Sequence, residues 1–235
     1  MPAKPLISII LPTRHRVNSV NRLFDSIEST VSKIDKLEVI LYIDDDDFKS
    51  QAIERSVLNL VKLIGRRTTR IDMIRKCFEA GSSQYILLLN DDAIFRTHGW
   101  DTRILQTFSK HPDGVAMVLC NDLSHGENMP IFPAYSRKLC ELMGGVCPED
   151  YHRDYIDVHL LDIFRKLHGL GFNRLEYLQD VVIEHINHEA STVNDTYIKL
   201  GFADDELTYI AWEHERQIIA SSMAKYIQQS TLCAS

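Results

Sequence analysis

Leu6 to Leu11 and Leu37 to Ile43 are short apolar runs that alternate, in the first half of the chain, with segments of helical period. A run without apolar–polar alternation marks a strand covered on both faces, as in a parallel sheet. Pro12 ends the first run, because proline cannot continue a central strand. Behind it Val20, Leu23, Phe24, Ile27 and Val31 recur on one helix face, with Asn18 or Ser19 as the cap. Lys49 to Leu63 and Thr69 to Ala80 are predicted helices, and Gly81 suits the position just past a helix end. Tyr85 to Asn90 reads as a buried strand, Gly99 and Trp100 open a helix through Phe108, and Val115 to Cys120 is the next strand. This alternation predicts an α/β fold, a mostly parallel central sheet flanked by helices.

The second half is looser. Met129 to Ala134 reads as an edge strand, Gly144 and Gly145 as a loop, Ile156 to His168 as an amphipathic helix, Val181 to Ile186 as a late strand and Phe202 to Gln229 as mostly helical. No linker, repeat or low-complexity stretch interrupts the 235 residues, so one domain is expected. With 45% hydrophobic and 25% charged residues the chain has the composition of a soluble globular protein. A net charge of −7 gives no bulk attraction to nucleic acid or anionic membrane, although Arg14 with Arg16, and Arg66, Arg67 and Arg70, form local basic clusters. The five cysteines lack zinc or redox spacing and read as reduced, buried thiols. Met1 to Pro5 lead straight into a strand and no run is long enough for a bilayer, so a cytoplasmic protein without a membrane span is expected.

Chemistry is concentrated where strands end. The strand from Tyr85 runs directly into Asn90, Asp91 and Asp92, while Pro12, Thr13 and Arg14 follow the first strand and Asp44 to Asp47 the second. Open α/β sheets place ligands at the carboxyl ends of their strands. Acidic oxygens held there can bind a divalent cation and, through it, a diphosphate. A carboxylate at Asp44 can accept hydrogen bonds from a base or ribose, but Asp-rich turns also simply follow strands and cap helices. Trp100 could stack on a sugar, although a Trp at a helix start is more often core.

The segment Ile7 to Arg14, the Asp run after the second strand, and Leu88 to Ala93 together resemble family 2 glycosyltransferases with the GT-A fold. Phe132 to Arg137 with Leu142 to Gly145, then Tyr151 to Asp157, look like the acceptor side of that family, and Val182 to His188 is similar to its terminal histidine segment. The resemblance covers roughly residues 6 to 190. It implies a nucleotide-sugar half over about residues 1–120, an acceptor half over about 121–200 and a C-terminal helical segment over about 201–235. It also implies an inverting transfer from a nucleoside diphosphate sugar, with uracil the commonest base, supported by Mn2+ or Mg2+.

Under that resemblance Asn90 stands where the Asp-x-Asp motif has its first acid, which puts a two-carboxylate clamp in doubt and makes Asp92 the metal ligand, joined by His185. An offset of three places His185 and His188 on opposite faces of a regular strand, and His188 is the alternative if the strand ends early. Asp44 would recognise the base; Pro12, Thr13, Arg14 and Asp91 would line the nucleotide pocket; and Arg66, Arg67 or Arg70 would meet the diphosphate, with Arg70 the site assignment. Asp157 is the candidate catalytic base, on the side of its helix shared by Leu160, Leu161 and Phe164, with Asp154 and Asp150 as neighbouring alternatives and Asp122 as an acceptor contact. The acceptor is a hydroxyl on a glycan or on a hydroxymethylated base in viral DNA. Two rival classes are nucleotidyl transfer, for which the loop after Pro12 lacks glycine, and a non-catalytic carbohydrate-binding relative.

Overall fold

The computed structural model describes residues 4–186 and 205–234. Strand β1 (Ile7–Thr13) lies between β2 (Leu37–Asp44) and β4 (Tyr85–Leu88), and β2 pairs onward with β3 (Leu60–Gly65), all in parallel. All of β2 is buried, and so is all of β1 except the half-buried Pro12. Alternating side chains therefore feed two cores. Ile9, Leu11, Val39, Leu41 and Ile43 pack with helices α1 (Val17–Thr30) and α4 (Trp100–Phe108). Ile10, Ile40 and Tyr42 face the other core, built with α3 (Arg70–Ala80), α5 (Arg137–Met143), α6 (Ile156–Gly169) and α8 (Glu213–Ala234). Two short helices, α2 (Phe48–Gln51) and α7 (Asp205–Ala211), complete the set among the described residues.

Four more strands extend the sheet past β4 in the order β7 (Ala134–Ser136), β6 (Met117–Asn121), β8 (Leu175–His185) and β5 (Ala93–Phe95). Only β7 and β5 run antiparallel to their neighbours. The result is the expected mixed α/β domain with a mostly parallel sheet.

Several local expectations are corrected. Residues 49–63 are not one helix: α2 is a single turn and β3 follows, because Leu60 to Gly65 pair with β2 while Lys62 turns its ammonium onto the Gln51 and Ile53 carbonyls. The strand expected at 129–134 begins only at Ala134, since Pro130 and Pro133 lack ladder donors, and it is interior rather than an edge. The α1 helix starts ahead of both expected caps, leaving Ser19 buried within it. Gly81 follows α3 as expected, but in extended backbone; a Cβ there would come within 2.9 Å of Ser8 Oγ. Strand β8 is longer than 181–186 and shifts register against β6, so that its end can pair with β5. No helix among the described residues is long and apolar enough to cross a membrane.

Buried in α6, His159 places Nδ1 3.0 Å from the Tyr151 hydroxyl. Burial, helped by the charge of Arg216, holds its pKa down to about 3. The unfolded chain, with an ordinary value of about 6.5, therefore takes up a proton that the folded chain refuses. Stability is full above pH 6.5 and falls toward pH 3, by up to about 1.4 kcal/mol per unit. Urea midpoints are expected to drop between pH 7 and 4.5, and His159→Gln to flatten that slope; an equally steep slope in the variant would contradict the assignment.

Candidate active site

Parallel register aligns the strand ends. Thr13 pairs with Ile43, Asp44 with Gly65, and the Leu89 amide donates to Ile10, so the loops after β1, β2, β3 and β4 leave one rim. Their polar side chains are laced together. The buried Thr13 hydroxyl donates to Asp91 Oδ2 at 2.7 Å. Arg14 donates to Asp44 Oδ2 at 2.6 Å and forks onto both oxygens of Asp46. Arg16 reaches Asp91 Oδ1 and approaches Asp92 Oδ2 at 3.9 Å. His15 between them has φ 56°, a left-handed turn uncommon outside glycine, and its amide donates to Asp47 at 2.6 Å. That turn lets Arg14 serve the β2 loop while Arg16 serves the β4 loop.

Asp44 is fully buried, and its Oδ1 has no hydrogen-bond partner among the described residues. Burial pushes its pKa up, and the Arg14 guanidinium pulls it back down. Arg67 adds positive charge to Asp44 from the β3 loop, whereas Arg66 is exposed and gives its carbonyl to the Tyr42 hydroxyl. Gly65 is required here, because a Cβ would lie 2.3 Å from that hydroxyl. Arg70, the first residue of α3, donates to Asn90 Oδ1 at 2.6 Å and to the Arg153 carbonyl at 3.3 Å.

The pairing of β5 with β8 sets Ala93 opposite His185, and the Ile186 amide donates to the Asp92 carbonyl. His185 Nε2 thereby comes within 3.3 Å of Asp92 Oδ1. Among the described residues neither Asp92 Oδ1 nor His185 Nδ1, both buried, has a hydrogen-bond partner. A carboxylate oxygen and an imidazole nitrogen are ordinary ligands of a divalent cation, and two ligands of one cation stand about 3 Å apart. The pair fits such an ion, although no group of three or more His, Cys, Asp or Glu gathers among the described residues. His188 lies outside the described residues.

The carboxylates expected to serve an acceptor differ in their surroundings. Asp157 is half-buried in the first turn of α6 and accepts the Val158 amide at 2.9 Å. Asp154 is exposed, on the loop whose Arg153 carbonyl meets Arg70. Asp150 accepts from Trp212 Nε1 at 2.9 Å. Asp122 spends its buried carboxylate on the amides of Ser124, His125 and Gly126. Trp100 is core, packed on Phe95 with ring centroids 4.4 Å apart. Arg16 and the Asn90–Arg70 link went unread in the sequence; the basic cluster around His15 was the only signal of the first, and nothing local signals the second.

Comparison with known proteins identifies the family and the fold. The glycosyl transferase family 2 profile matches residues 8–128. No curated protein matches the sequence significantly. Among solved structures, the mannosyltransferase PcManGT from Pyrobaculum calidifontis, in complex with GDP-Man and Mn2+, is 16% identical with a TM-score of 0.62 over 99% of this chain and 76% of that one. S. aureus TarS 1–349 in complex with UDP-GlcNAc is 15% identical with a TM-score of 0.59, over 76% of this chain and 57% of that one. Glucosyl-3-phosphoglycerate synthase from Mycobacterium tuberculosis, with Mn2+, UDP and phosphoglyceric acid, is 16% identical with a TM-score of 0.53, over 85% and 80%. With the profile spanning more than half of its length, the chain belongs to glycosyl transferase family 2 and is a glycosyltransferase.

Proposed function

We propose that the chain moves a sugar from a nucleoside diphosphate, uridine diphosphate foremost, to an acceptor hydroxyl on a glycan, with inversion at the anomeric carbon. The observation that carries this is the convergence on one rim of a buried carboxylate with an unused oxygen, Asp44, and the facing pair Asp92 and His185. Uracil N3–H is a donor of the kind Asp44 Oδ1 can accept. Pro12, Thr13 and Arg14 line the nucleoside, Asp91 orders that loop through Thr13 and Arg16, and Arg70 offers its guanidinium to the diphosphate. Asp92 and His185 would hold Mn2+ or Mg2+, which when bound offsets charge gathering on a departing diphosphate.

The acceptor-side base in this reading is Asp154 in preference to Asp157. Asp157 turns one oxygen onto its own helix, whereas Asp154 is open to solvent on the loop tied to Arg70 and so to Asn90. The carboxylate takes the hydroxyl proton as the acceptor oxygen bonds the anomeric carbon; the bond to the diphosphate breaks and its electron pair leaves with the phosphate oxygen.

A panel of UDP and GDP sugars is expected to yield free nucleoside diphosphate, more with Mn2+ than with chelator, and Asp92→Ala to lose that metal response. Release of pyrophosphate would mean nucleotidyl transfer instead, and no turnover or donor binding would leave a binding module. Asp154→Asn is expected to lower kcat by about 100-fold or more with donor KM little changed, and Asp157→Asn by less than about 10-fold. The reverse ranking would return the base assignment to Asp157.

A further inference from the structure

Three consecutive backbone amides converge on one carboxylate beyond the family 2 match. Asp205, at the start of α7 and 6% exposed, accepts the amides of His152 at 3.0 Å on Oδ1, and of Arg153 at 2.9 Å and Asp154 at 2.8 Å on Oδ2. Burial pushes its pKa up, but those amides outweigh it and hold the carboxyl below the usual range. The next residue along the loop, Tyr155, has φ 65°, a conformation that is strained for a non-glycine residue and persists only where surroundings fix it. Its ring packs on Tyr209 of α7, 5.4 Å between centroids. Trp212, just past α7, holds Asp150 at the other end of the same loop. On its far side the loop meets the donor half, through the Arg153 carbonyl, Arg70 and Asn90.

We propose that Asp205 is a positioning residue for transfer: it fixes the 152–154 backbone and so sets where the Asp154 carboxylate stands relative to the Asn90–Asp92 loop. This rests on the reading of Asp154 as the base. An acidic residue is suited to the task because one carboxylate has enough lone pairs for three donors, and a charge-assisted bond to a backbone amide is stronger than a neutral one. Alanine would leave three amides without their acceptor and release the loop without touching the nucleotide contacts.

The test is a double-mutant cycle on the full chain. Asp205→Ala is expected to lower kcat roughly 100-fold, the effect of about 1 Å of misplacement, with donor KM within about 2-fold of wild type. Asp205→Asn, which keeps one acceptor oxygen, should fall between. In an Asp154→Asn background the loss from Asp205→Ala should shrink to about 3-fold or less, because a misplaced group that is already disabled costs little more. Equal losses in both backgrounds, or donor binding lost in parallel with kcat, would assign Asp205 to general stability and overturn the proposal. If Asp205→Ala does not fold, Asp205→Asn carries the same cycle. If wild type turns over no donor, the transferase reading fails separately. The pin is then read by amide hydrogen exchange at 152–154, where lost protection in Asp205→Asn supports it and retained protection sinks it.

Discussion

Strand β1 is paired on both edges and covered on both faces, and that confinement dictates where polarity can go. Near the start of the strand Ser8 is polar and buried, and it is used at once: it donates to the buried Glu38 at 2.5 Å. Ser82 and Ser83 add their amides and hydroxyls to the same carboxylate, and Arg137 donates to the carbonyls of Phe78, Gly81 and Ser83. That rim of the sheet is closed, and it is structural. At the opposite rim Thr13 bonds Asp91, and Asp44, Asp91 and Asp92 face Arg14, Arg16 and His185, yet among the described residues the buried Asp44 Oδ1 and Asp92 Oδ1 accept no hydrogen bond. A buried acceptor left unsatisfied costs about 1–3 kcal/mol, and such groups collect where a ligand completes them. The contrast between the two rims is the physical basis for placing the chemistry at the second.

Two antiparallel strands, β5 and β7, are inserted into a parallel framework. The three residues of β5 turn back from the acidic loop and lie against the end of β8, which delivers His185 to Asp92. β7 separates β4 from β6 and is followed by α5. Asn90 gives Arg70 a neutral acceptor, and the same guanidinium bridges to the Arg153 carbonyl.

Legibility in the sequence follows the range of the interaction. β1 and β2 are dominated by apolar residues, Ser8 and Glu38 apart, because both faces are buried, and α1, α3, α4 and α6 have one clear apolar face, so all were readable. β3 reads as helix in the sequence because a half-buried edge strand with Lys62 in its middle has no clean period. β5 is only three residues long, too short for any pattern, although its pairing sets Ala93 opposite His185. The acids at strand ends were visible as residues, and parallel topology alone implied that they share a rim. Their pairing with Arg14 and Arg16, and the capture of the 152–154 amides by Asp205 some fifty positions away, are non-local contacts that no window of sequence contains.

The central claim is that the rim holding Asp44 and Asp92 is where a nucleoside diphosphate binds. A crystal structure of the protein with UDP and Mn2+ tests it most directly. The account predicts the uracil against Asp44 and the diphosphate beside Asp92, His185 and Arg70, with Arg14 moved aside or shared. A nucleotide bound elsewhere, or a rim unchanged at saturating UDP and Mn2+, would contradict it.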